Sequence, residues 1–170
     1  MELFAALVNI ALRGGIVMLE FIFRTEPKAI QSVRFCRIGD HVRSYQPKCN
    51  AEWKNFIRLA AAEQLPEGWQ SLDGPLALEV DFVFSPLRNF PKRTLQAISA
   101  GNRVYKHTRP DLCDNLLKGL CDALTGICWQ DDSQICKIQS CKFFGLDPMI
   151  RLKVSQIEIE AKKVSPDLFG

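Results

Sequence analysis

Residues 75–84, PLALEVDFVF, place apolar side chains at Leu76, Leu78, Val80, Phe82 and Phe84, with Glu79 and Asp81 between them. A period of two over this length describes a strand with one buried face, so the fold has to supply a layer that covers that face. The segment IRLKVSQIEIE, within Met149–Glu160, alternates in the same way, and IVMLEFIFR at 16–24 is rich in strand formers. Ser32–Arg37 and His41–Tyr45 flank Ile38, Gly39 and Asp40, which suggests a hairpin. Ser133–Phe143 reads as another strand, joined to the last by GLDP.

Two segments carry the helical period instead. In NAEWKNFIRLAAAEQ, 50–64, Trp53, Phe56, Ile57, Leu59 and Ala60 recur at helical spacing, Asn50 is placed to cap, and Pro66 and Gly68 end the run. Leu112–Leu124 is the second main helix, ended by Thr125 and Gly126. Thr94–Ser99 adds a turn or more, and RVYKHTRP at 103–110 is extended, because Pro110 keeps Arg109 out of the helical region. The order predicts an α+β fold: a mixed, mainly antiparallel sheet with two main helices packed on it, in a single domain. A chain of 170 residues suits one such domain. The apolar run Phe4–Leu12 is too short to span a bilayer, and Glu2 is the wrong charge for a secretory start. It reads as a short surface helix or as an extension, residues 1–17, ahead of a domain over 18–165.

The net charge of +3 argues for no partner by itself, but its distribution is uneven. Ser85–Pro110 holds Arg88, Lys92, Arg93, Arg103, Lys106 and Arg109 and no acid; Asp111–Asp132 holds five acids and one base, Lys118. A basic approach beside an acidic pocket fits a polyanion held at the rim of a metal site, and also fits an unevenly charged surface with no function. The seven cysteines include no CxxC and follow no zinc-site spacing, and most lie among apolar residues, which points to free thiols in a reducing, intracellular compartment.

The acids concentrate in RPDLCDNLLK, 109–118, and ICWQDDSQI, 127–135. On a helical wheel Leu116, Leu117, Leu120, Ala123 and Leu124 share one side, and Asp114, Lys118 and Asp122 the other. Each piece has a structural explanation. Asp111 can cap the helix, Asp114 with Lys118 is an ordinary surface pair, and Asp131 and Asp132 can be a turn before a strand. Together they have a chemical one. Carboxylate oxygens suit Mg²⁺, the metal activates water and holds phosphate oxygens, and a lysine offsets the charge that develops. Trp129 reads as a core anchor for the acidic turn, and His107 as a solvated loop histidine.

RPDLCDNLLKGLCDALTGICWQDDSQI resembles the signature of the RusA family of Holliday junction resolvases: PD-x-DNL-x-K, then DAL-x-G, then W-x-DD-x-Q and a β-branched residue. The similarity rests on Pro110, Asp111, Asp114, Asn115, Leu116, Lys118, Asp122, Ala123, Leu124, Gly126, Trp129, Asp131, Asp132, Gln134 and Ile135. Glu26–Lys28 with Arg34, Tyr45–Pro47 and Lys106–Pro110 echo the family's basic segments, and only the first seventeen or so residues lack a counterpart. The resemblance implies a homodimeric, Mg²⁺-dependent endodeoxyribonuclease (Mn²⁺ substituting), bacterial or prophage-encoded and cytoplasmic. It would cut two opposed strands of four-way junction DNA in recombination and repair. It makes Asp111, Asp114 and Asp132 metal-binding carboxylates, Lys118 the phosphate-facing lysine and Asp131 a further contributor.

One departure bears on the chemistry. The family has one residue between its first two aspartates, and this chain has two, Leu112 and Cys113. One added residue in a helix turns a side chain by about 100°, so Asp111 shares a pocket with Asp114 only if the backbone bulges. Without a bulge the chain would bind junctions and cut them poorly, which is the alternative reading; an enzyme of smaller phosphate esters is a third. Arg88, Lys92, Arg93, Arg103, Lys106 and Arg109 are the expected phosphate contacts, with Arg34, Arg37 and Arg43 extending them.

Overall fold

A computed structural model of the protein describes residues 9–13, 16–30, 34–38, 41–45 and 48–158. The elements are β1 (Asn9–Arg13), β2 (Ile16–Phe23), β3 (Arg34–Ile38), β4 (His41–Tyr45), α1 (Lys48–Ala62), β5 (Leu76–Phe84), α2 (Lys92–Ser99), β6 (Val104–Tyr105), a π-helix (Leu112–Leu117) running straight into α3 (Lys118–Leu124), β7 (Ile135–Phe144) and β8 (Met149–Gln156). The main sheet has the order β1-β2-β8-β5-β7-β6, and β3 and β4 form a separate antiparallel hairpin. Among the described residues, β5 and β7 are the only neighbouring strands of the main sheet that run parallel; the other pairs are antiparallel. The α+β, mixed and mainly antiparallel architecture is therefore as the alternation predicts.

The strand period decides what is covered. Leu19, Phe21 and Phe23 of β2, the even-numbered residues Leu76 to Phe84 of β5, and Ile150, Leu152 and Val154 of β8 are all buried. The lid over them is made of Trp53, Ile57 and Ala61, one turn apart on α1, and of Leu116, Leu117, Leu120, Ala123 and Leu124 from the π-helix and α3. The opposite face of the sheet carries Glu20, Glu79, Asp81, Arg151 and Lys153, and Asp81 meets Arg103 at 3.2 Å and Arg151 at 3.8 Å.

Several local expectations change. Asn50 is not a cap: α1 starts at Lys48, and Asn50 sits inside it, 2% exposed. Part of the leading segment is a strand, β1, hydrogen-bonded to β2, rather than a surface helix. Residues 112–124 are not one α-helix, since their first half is π-helical. Ser133 belongs to a 3₁₀ turn, Asp132–Gln134, and β7 begins after it. The extended approach at 103–110 contributes only the two-residue β6. Gly14, Gly15, Ser32, Gly39, Asp40, Gln46, Pro47, Ile159 and Glu160 lie outside the described residues. Among the described residues no helix is long and apolar enough to cross a membrane.

Among the described residues, Gly119 is one of two glycines, with Gly145, where an added methyl group would force a neighbouring side chain to shift. The 25–30 segment lies on the helix, with Ile30 N donating to Asn115 O at 3.0 Å, and a methyl group at Gly119 would overlap the Ile30 side chain. Glu26 ties the same segment to β5 by accepting from Ser85 N at 3.2 Å and Ser85 Oγ at 2.7 Å. Gly119→Ala is expected to destabilise the protein by about 1–3 kcal/mol through overpacking. Adding Ile30→Ala should return part of that loss, read as the urea midpoint of the double variant against each single one.

Candidate functional site

A parallel neighbour needs a crossover, and the crossover from β5 to β7, residues 85–134, carries every acidic residue of the motif. Its last stretch before the π-helix is fastened to β7. Lys106 N donates to Lys142 O at 3.0 Å, and Lys106 Nζ reaches Thr108 Oγ1 at 2.9 Å while lying 5.3 and 5.2 Å from the Phe84 and Phe144 rings. Lys142 Nζ donates to Thr108 O at 2.9 Å and to Pro110 O at 2.5 Å. The Arg109–Pro110 peptide is cis. Burial and then the Lys142 charge lower the Lys106 ammonium from its ordinary range, and Glu26 acts in the opposite sense.

Asp111 caps the π-helix. Its Oδ1 accepts from Cys113 N at 2.9 Å and Asp114 N at 3.1 Å, satisfying two donors that a helix start leaves orphaned. The π character follows from the hydrogen bond of Lys118 N to Cys113 O, five residues back. A π turn holds one residue more than an α turn, so the backbone is widened next to the two aspartates, where their shared pocket needs a bulge. Inside it, Asn115 O is taken up by Ile30 N. Asp111 and Asp114 then line one open cavity of about 830 Å³ together with His107, Arg109, Asn115 and Lys142.

The second acidic pair is built differently. Asp131 Oδ1 accepts from Ser133 N at 2.9 Å, and Gln134 Oε1 accepts from Gln130 N at 2.8 Å and Asp131 N at 3.1 Å, a capping box. The Ser133 hydroxyl and backbone N–H hold the Asp131 carboxyl below its usual range. Gln134 Nε2 donates to Leu72 O at 2.9 Å and Gly74 O at 3.1 Å, which fastens the turn to the chain entering β5. Trp129 is fully buried beneath the turn, its Nε1 on Thr125 Oγ1 at 3.2 Å, so it is the core anchor its position suggests. Asp132 stands exposed and does not line the Asp111–Asp114 cavity; its charge, after burial, helps raise the Cys121 thiol to about 11.

The carboxylates thus divide into two kinds. Asp122 is paired with Lys54 of α1 at 2.7 Å, and Asp131 is committed to its cap. Among the described residues Asp114, Asp132 and Lys118 have no side-chain hydrogen bond or ion pair, so Asp114 and Lys118 do not form the expected surface pair. Also among the described residues, no three His, Cys, Asp or Glu side chains are grouped to hold a metal ion. The arrangement fits a hard cation taken by one or two carboxylates, Asp111 and Asp114, with water and phosphate oxygens completing its shell. It does not fit a cage of three or four aspartates.

Of the basic residues, Arg109 lines the cavity, Lys106 does not, and Arg88, Lys92 and Arg93 are exposed on the crossover. Arg103 is drawn to the other face of the sheet, beside Asp81 and 4.8 Å from the Phe143 ring. Arg34 and Arg43 have no described side-chain surroundings. Lys142 and Gln134 carry structural roles that motif reading passes over. The signal for Lys142 is its parity: in ICKIQSCKFF it shares a strand face with Ile138 and Phe144.

Residues 25–155, most of the chain, match the family model described as Endodeoxyribonuclease RusA. The uncharacterized protein YqaN of Bacillus subtilis (strain 168) is 26% identical over 144 residues, which covers 82% of this chain and 96% of that protein.

Two measurements check this geometry. Gln134→Leu strands the Leu72 and Gly74 carbonyls and two amides of the acidic turn, and is expected to cost about 1–3 kcal/mol. Burial pushes Cys121 up to about 11 and Cys128 to about 12, so their thiolates are scarce below those values. At pH 8 the Cys128 thiolate fraction is about 10⁻⁴, rising tenfold per pH unit. Iodoacetamide at pH 8 should therefore alkylate exposed Cys49, Cys113 and Cys136 while sparing Cys121 and Cys128, as read by peptide mass mapping.

Proposed function

The chain belongs to the RusA family of endodeoxyribonucleases, and from that premise we propose that it hydrolyses phosphodiesters at four-way DNA junctions, using a divalent cation held at Asp111 and Asp114. One observation carries the reading. The two aspartates flanking the inserted residue line a single open cavity, and Asp114 has no competing partner among the described residues. Asp111 keeps Oδ2 clear of the capping bonds, which use Oδ1.

The cation, when bound, supplies Lewis acidity at a phosphate oxygen and a water of lowered pKa. The chain's own groups do the rest. Asp111 and Asp114 hold negative charge at the wall of the cavity. Arg109 at its rim, with Arg88, Lys92 and Arg93 along the crossover, attracts the DNA backbone without regard to base sequence. Lys118 is exposed one turn beyond Asp114 and without a side-chain partner among the described residues, though outside the lining of the cavity; in this reading it meets charge that develops on the phosphate. A two-fold pair of subunits would present two such cavities to the two opposed strands of a junction.

The test is cleavage of a synthetic four-way junction in Mg²⁺. Asp114→Asn should lower cleavage by on the order of 10²–10³-fold, and Asp132→Asn, which lies outside the Asp111–Asp114 cavity, by less. Both should still bind the junction, with an affinity that falls steeply as salt rises. Wild-type protein that binds the junction and never nicks it, in Mg²⁺ or Mn²⁺, would establish a junction-binding protein of the same fold in place of the nuclease.

A further inference from the structure

Lys142 is the lysine of β7 that shares the helix-covered side of the sheet with Ile138 and Phe144, opposite Phe82 of β5. A lysine in that place has an ammonium to satisfy, and the structure shows where two of its three donors go. They end on Thr108 O and Pro110 O, the carbonyls that bracket Arg109 just before Asp111. These are charge-assisted bonds, stronger than neutral ones. The same strand residue also accepts from Lys106 N through its own carbonyl, so a single residue of a rigid strand grips the approach segment at three points.

The next peptide carries Asp111, whose carboxylate organises the Cys113 and Asp114 amides. Lys142 lines the same cavity as Asp111 and Asp114. The chain of contacts therefore runs from the sheet, through an ammonium and two carbonyls, to the first residue of the acidic motif. We propose that Lys142 is a positioning residue of the site: its ammonium holds the backbone at 108–110 so that Asp111 caps the π-helix and faces the cavity with Asp114. The inference rests on the reading of this cavity as the nuclease site. It assigns to Lys142 a role in building the site and not in meeting DNA, because two of its donors are already taken by the protein.

A positioning role and a mere local charge predict opposite signs. Removing a cation from beside two aspartates would by charge alone tighten their hold on Mg²⁺. Losing the grip on the backbone would weaken it. Lys142→Met is expected to raise the Mg²⁺ concentration for half-maximal junction cleavage by roughly 10–100-fold, the range seen when a supporting partner of a metal ligand is lost. Lys142→Arg, which can still donate to carbonyls, should recover part of the difference.

A second readout needs no metal and no DNA. In the metal-free protein, amide exchange at Cys113 and Asp114 should quicken by roughly tenfold or more in Lys142→Met while the amides of β5 and β8 stay as protected as in wild type. Unchanged exchange at those two amides, or half-maximal cleavage at a lower Mg²⁺ concentration than wild type needs, would overturn the proposal. If wild-type protein failed to cut the junction, the nuclease reading would fall, and the exchange experiment would still decide whether Lys142 holds Asp111 in place.

Discussion

β5 runs through the sheet with β8 antiparallel on one side and β7 parallel on the other, and a parallel neighbour cannot be reached by a tight turn. The chain therefore leaves β5 after Phe84, touches the sheet's far edge only through the two residues of β6, and returns beside β5 at Ile135. Every acidic residue of the motif is carried on that excursion. The excursion is not loose. It is fastened to β7 through Lys106 and Lys142, to the entrance of β5 through Gln134, and to α1 through the Lys54–Asp122 pair. Its own apolar stripe, Leu116 to Leu124, closes the core over β5. Covering the sheet and presenting the acids are thus done by two sides of one helical rod.

That arrangement sorts the acidic residues by what they already hold. Asp122 and Asp131 stabilise the structure, one by an ion pair across two helices and one by a cap. Asp111 turns Oδ1 to backbone amides and keeps Oδ2 outside those bonds. Among the described residues, the side chains of Asp114, Asp132 and Lys118 hold no hydrogen-bond or ion-pair partner. A charged group kept exposed and unpartnered adds little to stability, so its placement in a motif is better explained by what it meets in a complex.

Much of this could be read from the residues alone. Period-two alternation located β2, β5 and β8, and the Leu116–Leu124 stripe identified the buried side of the rod before any coordinates. Asp111 as a cap was also legible, because the rule depends on two neighbouring amides. What was not legible depended on partners far along the chain. Asn50 looked like a cap because nothing local reveals that α1 extends back to Lys48 and buries it. Arg103 looked like part of the basic approach until β6, beside β7, turned it toward Asp81 on the other face. The separation of Asp132 from the Asp111–Asp114 cavity is likewise set by where the acidic turn docks, at Leu72–Gly74, which no spacing encodes.

The π turn at Leu112–Leu117 has a meaning beyond this one chain. A helix that can swell by one residue works as a length buffer: it swallows an insertion on the solvent side while Leu116, Leu120 and Leu124 keep their phase against the core. Distance along the polymer and distance in space then come apart inside the signature itself. A descriptor of such sites that insists on a fixed gap between the first two acids would pass over proteins built like this one, whereas one that allows a single swollen turn would gather them.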